Sequence, residues 1–142
     1  MALRVAINGA GRIGRAFYKI ARKRPELEIV ALNDLGDIHN LAYLLKYDSA
    51  YGRSDFDIAV REDGKALIID GKEVQYVSEK EPGNLPWRDL NIDVVVESTG
   101  FFTTFEAARA HLTAGAKRVV ISAPAKSDPK DQSEGTVLLG IN

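Results

Sequence analysis

There is no cysteine in this 142-residue chain. That excludes a disulfide framework, a thiolate metal site and a cysteine nucleophile among these residues. Histidine is scarce as well: His39 and His111 are the only two, and without cysteine they do not make a metal site. Both fall in segments of helical spacing, where surface or cap positions are expected, and no Ser/His/Asp constellation accompanies them. Long apolar runs are missing too, since none approaches the ~20 residues of a bilayer span. Met1-Ala2-Leu3-Arg4 leads straight into a strand pattern with no signal-peptide architecture, so a cytoplasmic protein is expected. Finally, there is no excess of charge: the formal net charge is −1, which gives no general pull toward nucleic acid or anionic lipid. The basic cluster Lys19, Arg22, Lys23 and Arg24 suits a solvated helix C-terminus. No aromatic residues interleave with it as base stacking would need.

What is present belongs to a folded domain. The apolar fraction is 45% and the charged fraction 27%, and a chain of this length buries roughly two-thirds of its unfolded surface. Val5 to Ile7 reads as a buried strand; Ile13, Phe17, Ile20 and Ala21 then recur at helical spacing up to Pro25. Ile29 to Leu32 is a second strand, and Ile38, Leu41, Ala42 and Leu45 mark one face of a second helix. The middle changes character. Phe56, Ile58 and Val60 alternate with polar residues, and the turns Asp63-Gly64 and Asp70-Gly71 bracket strands at Ala66 to Ile69 and Val74 to Val77, an antiparallel meander. After the loop Pro82 to Pro86, Val94 to Val96 is a buried strand. Thr103 to Glu106 has capping-box spacing, and Phe105, Ala108 and Leu112 form a helical face. Val119 to Ile121 and Val137 to Leu139 read as the last strands. Short apolar strands alternating with helices indicate an α/β fold of the doubly wound (Rossmann) type, a mainly parallel sheet with an antiparallel strand insertion.

Between the first strand and helix stands Gly9-Ala10-Gly11-Arg12-Ile13-Gly14, a GxGxxG pattern. Alone it is weak, because glycine-rich turns are common. Here each glycine has a physical place: Gly9 for the tight turn, Gly11 for close backbone approach to a pyrophosphate, and Gly14 for contact between helix and strand. The free N–H groups of the helix start make an anion site. Asp34 lies about 20 positions on, at the end of the next strand, where an acidic residue accepts hydrogen bonds from a ribose. Its carboxylate would repel the 2′-phosphate of NADP by roughly 1 to 4 kcal/mol at about 4 Å, depending on screening. NAD is therefore the expected cofactor, although Asn33-Asp34 also suits a simple turn.

The blocks "AINGAGRIGR", "LND", "YLLKYDSAYG", "SEKEPGNLPW", "VVVESTGFF" and "GAKRVVISAPAK" occur in order, and together they resemble the amino-terminal, NAD-binding half of the phosphorylating glyceraldehyde-3-phosphate dehydrogenases. Ala10 departs from the phenylalanine usual there. The resemblance implies that Arg12 and Ile13 meet the pyrophosphate through their backbone amides, that Asp34 binds the adenosine ribose and that the Lys80 backbone lies by the adenine. It also implies that Thr99 and Gly100 line the adenine and ribose side and that Ser122 approaches the nicotinamide end with Asn8. Thr99-Gly100 reads equally well as a strand-ending turn, and Ser122 as a hydroxyl satisfied by nearby backbone. Tyr43, Tyr47, Phe101, Phe102 and Trp87 are expected in packing or interfaces, Trp87 over a sheet edge.

In that family a cysteine thiolate attacks the aldehyde and a histidine takes its proton before hydride transfer. Both lie beyond the region matched, so residues 1–142 are expected to be a dinucleotide-binding domain, truncated before the catalytic domain, with no catalytic residue and no activity alone. By the resemblance, the full-length protein would be a homotetramer converting glyceraldehyde 3-phosphate, inorganic phosphate and NAD to 1,3-bisphosphoglycerate and NADH. Erythrose-4-phosphate dehydrogenase shares most of the blocks; Asp34 favours the triose enzyme. A free-standing NAD-binding module without catalysis is a further reading, and an RNA-binding role is the weakest, given the charge.

Overall fold

In the computed structural model, which describes residues 1–142, the apolar run after Ala2 forms β1, Leu3–Asn8. The chain continues through α1 (Arg12–Ala21), β2 (Leu27–Asn33) and α2 (Ile38–Lys46) to a small antiparallel pair, β3 (Tyr47–Asp48) and β4 (Gly52–Arg53). Then come β5 (Ile58–Val60), β6 (Ala66–Ile69), β7 (Lys72–Val77), β8 (Val94–Glu97), two short helices α3 (Phe105–Ala108) and α4 (Ala110–Thr113), and β9 (Arg118–Ile121). One seven-stranded sheet runs β5-β6-β7-β2-β1-β8-β9. Its strands from β7 through β9 are parallel, and β5-β6-β7 is an antiparallel meander. The expected mainly parallel sheet with its antiparallel insertion is thus what forms; the pair β3–β4 is additional. Because β2 lies on one side of β1 and β8 on the other, strand order reverses between β1 and β8. Connections diverge there and leave a crevice at the carboxyl ends of the strands, the place where open α/β sheets bind ligands.

The period-2 alternation of strands sends neighbouring residues to opposite layers. Ile7 and Leu32 face one core with Tyr18 of α1 and Leu41 and Leu45 of α2. Ala6, Ala31 and Val95 face the other, with Trp87, Ile92 and Ala114. Alanine at two of those sheet positions leaves room for the Trp87 indole, which is fully buried on the sheet face rather than laid over its edge.

Four expectations are corrected. In α1 the inward residues are Gly14, Tyr18 and Ala21, while Ile13 and Ile20 are 58% and 66% exposed. Contact with the sheet at Gly14 sets the rotation, and positions four and seven residues on follow it inward. The third region of helical spacing is divided at Arg109, which ends α3 and precedes α4. The buried residues are Ala108, His111 and Ala114, three residues apart, and Leu112 is turned out. The cap of α3 is Thr104, whose hydroxyl accepts from the Ala107 N–H at 3.0 Å, one residue later than the capping-box spacing suggests. Val137 to Leu139 is not a strand. The sheet ends at β9, and the Leu138 N–H donates instead to the Asn142 side chain at 2.7 Å in a local turn.

Candidate functional site

The turn after β1 is shaped by close approach. Gly9 has φ +96°, and a Cβ there would lie 2.8 Å from the Thr99 nitrogen and 2.9 Å from the Ser98 carbonyl carbon. At Gly14 a Cβ would lie 2.0 Å from the Gly9 carbonyl oxygen. Neither site admits a side chain without moving backbone. Gly11 is different: its Cβ direction meets nothing within 4 Å, so the chain is bare toward the crevice. Helix α1 starts at this turn without a side-chain cap. Its first backbone bond runs from the Arg15 N–H to the Gly11 carbonyl, at 2.9 Å, and the N–H groups of Arg12 and Ile13 have no acceptor in the chain. Unpaired donors and the positive end of the helix dipole together suit a phosphate.

Asp34 follows β2 and reaches back to this turn. Its Oδ1 accepts from the Ala10 N–H and its Oδ2 from the Gly36 N–H, both at 3.0 Å. One carboxylate therefore holds the glycine turn and its own loop together and still has lone pairs for ribose hydroxyls. The single proton of the Tyr76 hydroxyl is shared between the carbonyls of Gly36 and, at 3.0 Å, Asp34. Burial, with the charges of Asp34 and Asp37 adding to it, pushes this phenol up to about 12, which keeps it a donor. Lys80 is exposed beyond β7. The preceding residue is pinned, since the Asn33 side chain accepts from the Glu79 N–H and donates to the Glu79 carbonyl, each at 2.9 Å.

On the other side of β1, the Ser98 N–H donates to the Asn8 carbonyl at 2.7 Å. Gly100 is exposed with φ +78°, and Ser122, also exposed, donates its N–H to the Glu97 carbonyl at 3.0 Å. Ser122 additionally lines a groove of about 900 Å³ shared with Phe105, Val120 and Leu138. None of the glycine-turn residues belongs to that groove. The fold thus brings Gly9, Gly11, Arg12, Ile13, Asp34, Lys80, Thr99, Gly100 and Ser122 to the carboxyl edge of one sheet. Asn8 ends β1 there too, but its side chain is buried and points into a polar network.

That network contains the residues that sequence reasoning missed. His111, expected at the surface or as a cap, is fully buried, three residues on from the buried Ala108. The Trp87 indole N–H donates to its Nδ1 at 3.0 Å. An indole nitrogen can only donate, so the ring proton sits on Nε2, which faces Glu97 Oε2 at 2.6 Å. Glu97, 2% exposed, also takes the Asn8 amide at 2.6 Å on Oε2 and the Thr99 N–H and hydroxyl at 2.9 and 2.6 Å on Oε1. Burial pushes the Glu97 carboxyl up, but the bonds from His111, Thr99 and Asn8 outweigh it and hold the group below its ordinary range. His39, by contrast, is exposed on α2.

An uncapped helix start, a glycine turn that admits no side chain at two points, and an acidic residue ending the next strand define a dinucleotide-binding domain when they meet at a switch point. A family model described as "Glyceraldehyde 3-phosphate dehydrogenase, NAD binding domain" matches residues 3–105. The chain belongs to that family, and the domain's cofactor is NAD. Among curated relatives, the glyceraldehyde-3-phosphate dehydrogenase of Geobacillus stearothermophilus is 49% identical over 142 residues, which are 100% of this chain and 40% of that protein. The cytosolic one of Trypanosoma brucei brucei is 52% identical over 90% of this chain and 38% of its own length. That of Thermotoga maritima is 50% identical over 98% of this chain and 40% of its own. The chain therefore spans about two-fifths of the length of the relatives it matches. No helix is long and apolar enough to cross a membrane.

Proposed function

We propose that residues 1–142 hold NAD for a phosphorylating glyceraldehyde-3-phosphate dehydrogenase. The pyrophosphate would rest on the N–H groups of Arg12 and Ile13, across the bare backbone of Gly11, with Gly9 closing the turn beneath. Asp34 would take the adenosine ribose, the Lys80 backbone and the Thr99-Gly100 loop would flank the adenine side, and Ser122 would stand toward the nicotinamide. Asn8 serves the same end from below, through the network. The observation that carries this reading is the contrast among the glycines: Gly9 and Gly14 are pressed against backbone, whereas Gly11 faces open space beside unpaired donors.

NAD supplies a hydride acceptor when bound. The part of these residues would be to bind and orient it, and the Asp34 carboxylate would disfavour a 2′-phosphate. The reaction of glyceraldehyde 3-phosphate and inorganic phosphate would draw its cysteine and histidine from outside this sequence, in a cytoplasmic homotetramer. Asp34 in "LND" supports the triose substrate over erythrose 4-phosphate.

Calorimetric titration with NAD and then NADP tests the cofactor reading. Saturable NAD binding with much weaker NADP binding is expected. Equal affinity would remove Asp34 as the selector, and no binding of either would remove the cradle.

A further inference from the structure

The direction of every bond in the buried network is set from its ends. The Glu79 backbone N–H can only donate, so its acceptor on Asn33 is Oδ1; Asn33 Nδ2 then donates to Asn8 Oδ1 at 2.7 Å, and Asn8 Nδ2 donates to Glu97. At the other end the Trp87 N–H fixes Nε2–H on His111, which also donates to Glu97. In the surface loop the Phe101 N–H donates to Thr99 Oγ1 at 3.1 Å, so that hydroxyl turns its proton to Glu97. Three chains of donors converge on one carboxylate. Four protons meet two oxygens there, and only an ionised carboxylate can accept them all. No lysine or arginine pairs with it.

We propose that Glu97 is a positioning residue for the dinucleotide: as the single acceptor shared by Asn8, His111 and Thr99, it holds the Ser98–Gly100 loop against Gly9 in the ligand-ready shape. This rests on the NAD-binding reading above. Thr99 cannot turn its hydroxyl outward without breaking this set, and its backbone is the surface that Gly9 abuts at less than 3 Å from a Cβ position. A shift of the Thr99 loop therefore changes the floor of the cradle. Trp87 and His111 act through Glu97 by fixing the tautomer that donates to it.

The test uses the full chain and three variants. Glu97→Gln keeps the shape but turns an NH₂ group toward donors, leaving at least one buried donor unmatched. We expect NAD to bind about tenfold or more weakly, with faster hydrogen exchange at the Thr99 N–H and unchanged exchange at Leu67 in β6. His111→Gln, which supplies both a donor for Glu97 and an acceptor for the indole, should keep affinity within about threefold of the parent; His111→Phe, which supplies neither, should match Glu97→Gln. In the parent, ¹⁵N NMR of His111 should show Nε2–H with a bare Nδ1. A folded Glu97→Gln variant with parental NAD affinity and Thr99 exchange overturns the proposal. So does an Nδ1–H or doubly protonated His111 in the parent, a measurement that decides the matter even if the variants do not fold. If the parent binds no NAD, the cofactor reading fails by itself, and Thr99 exchange with the His111 tautomer still judges the role of Glu97.

Discussion

The two halves of the sheet end their strands in opposite ways. In the antiparallel half, β5-β6-β7, Asp70-Gly71 turns the chain directly back with both residues at positive φ, and at the other end of the meander polar groups pair at the surface, as Arg61 does with Asp63 and Glu73. In the parallel half, β1, β2 and β8 end on Asn8, Asn33 and Glu97, all buried and bonded to one another. Hairpins return the chain at alternate ends, so their termini are dispersed. Crossovers deliver every carboxyl terminus to the same edge, where polar residues can be pooled beneath a ligand. The candidate site lies in one half and not the other because of connection, although both halves share one sheet and contribute strands to the core of Ile7 and Leu32.

The sharpest way to break this contrast is Gly14→Ala. With backbone 2.0 Å from the new Cβ, the variant should lose at least about 3 kcal/mol of stability by overpacking and all NAD binding, measured by denaturant melts and titration. Gly11→Val should divide the two properties. Its φ of −73° and ψ of −164° are extended and its Cβ meets no atom within 4 Å, so stability should fall by only about 1 kcal/mol, the cost of losing glycine at an N-cap, while NAD affinity falls at least about a hundredfold by blocked approach. Asp34→Ser, smaller in effect, should narrow the NAD over NADP preference by about tenfold or more, read by calorimetry. A pH series sharpens the comparison further. Glu97 titrates below its ordinary value of 4.5 in the folded state, so its contribution to stability is complete above that value and is lost as pH falls through the folded one. Urea midpoints of parent and Glu97→Gln should therefore converge on acidification and stay apart at neutral pH. Last, Glu73→Ala in the antiparallel half should leave both the melt and NAD affinity unchanged, because exposed ion pairs contribute little.

The geometry of the candidate cradle is legible in the sequence because it is local: glycines at fixed spacing, a helix start, and an acidic residue after the next strand. The doubly wound fold was legible for the same reason, from short apolar runs such as Val94 to Val96 between helical patterns. What was misread depends on partners distant in sequence. Apolar spacing placed Ile13 and Ile20 inside, but contact of Gly14 with Gly9 rotates the helix the other way. Val137 to Leu139 has the composition of a strand and no strand beside it. His111 reads as a surface histidine from spacing alone because its hydrogen-bond partners, Glu97 and Trp87, lie 14 and 24 positions away. One signal was available: β1, β2 and β8 each finish an apolar run with an amide or carboxylate residue, three in equivalent places.

The placement of Glu97 also bears on the order in which the chain acquires its parts. Gly9 to Gly14 and the start of α1 are held by Asp34, only 24 positions from Ala10, but Asn8 and Glu97 are 89 positions apart. Closing so long a loop is slow compared with forming a helix. A growing or refolding chain should hold a formed helix start well before it has a floor under that helix, and the ability to recognise a nucleotide should appear late and in one step, when β8 docks beside β1.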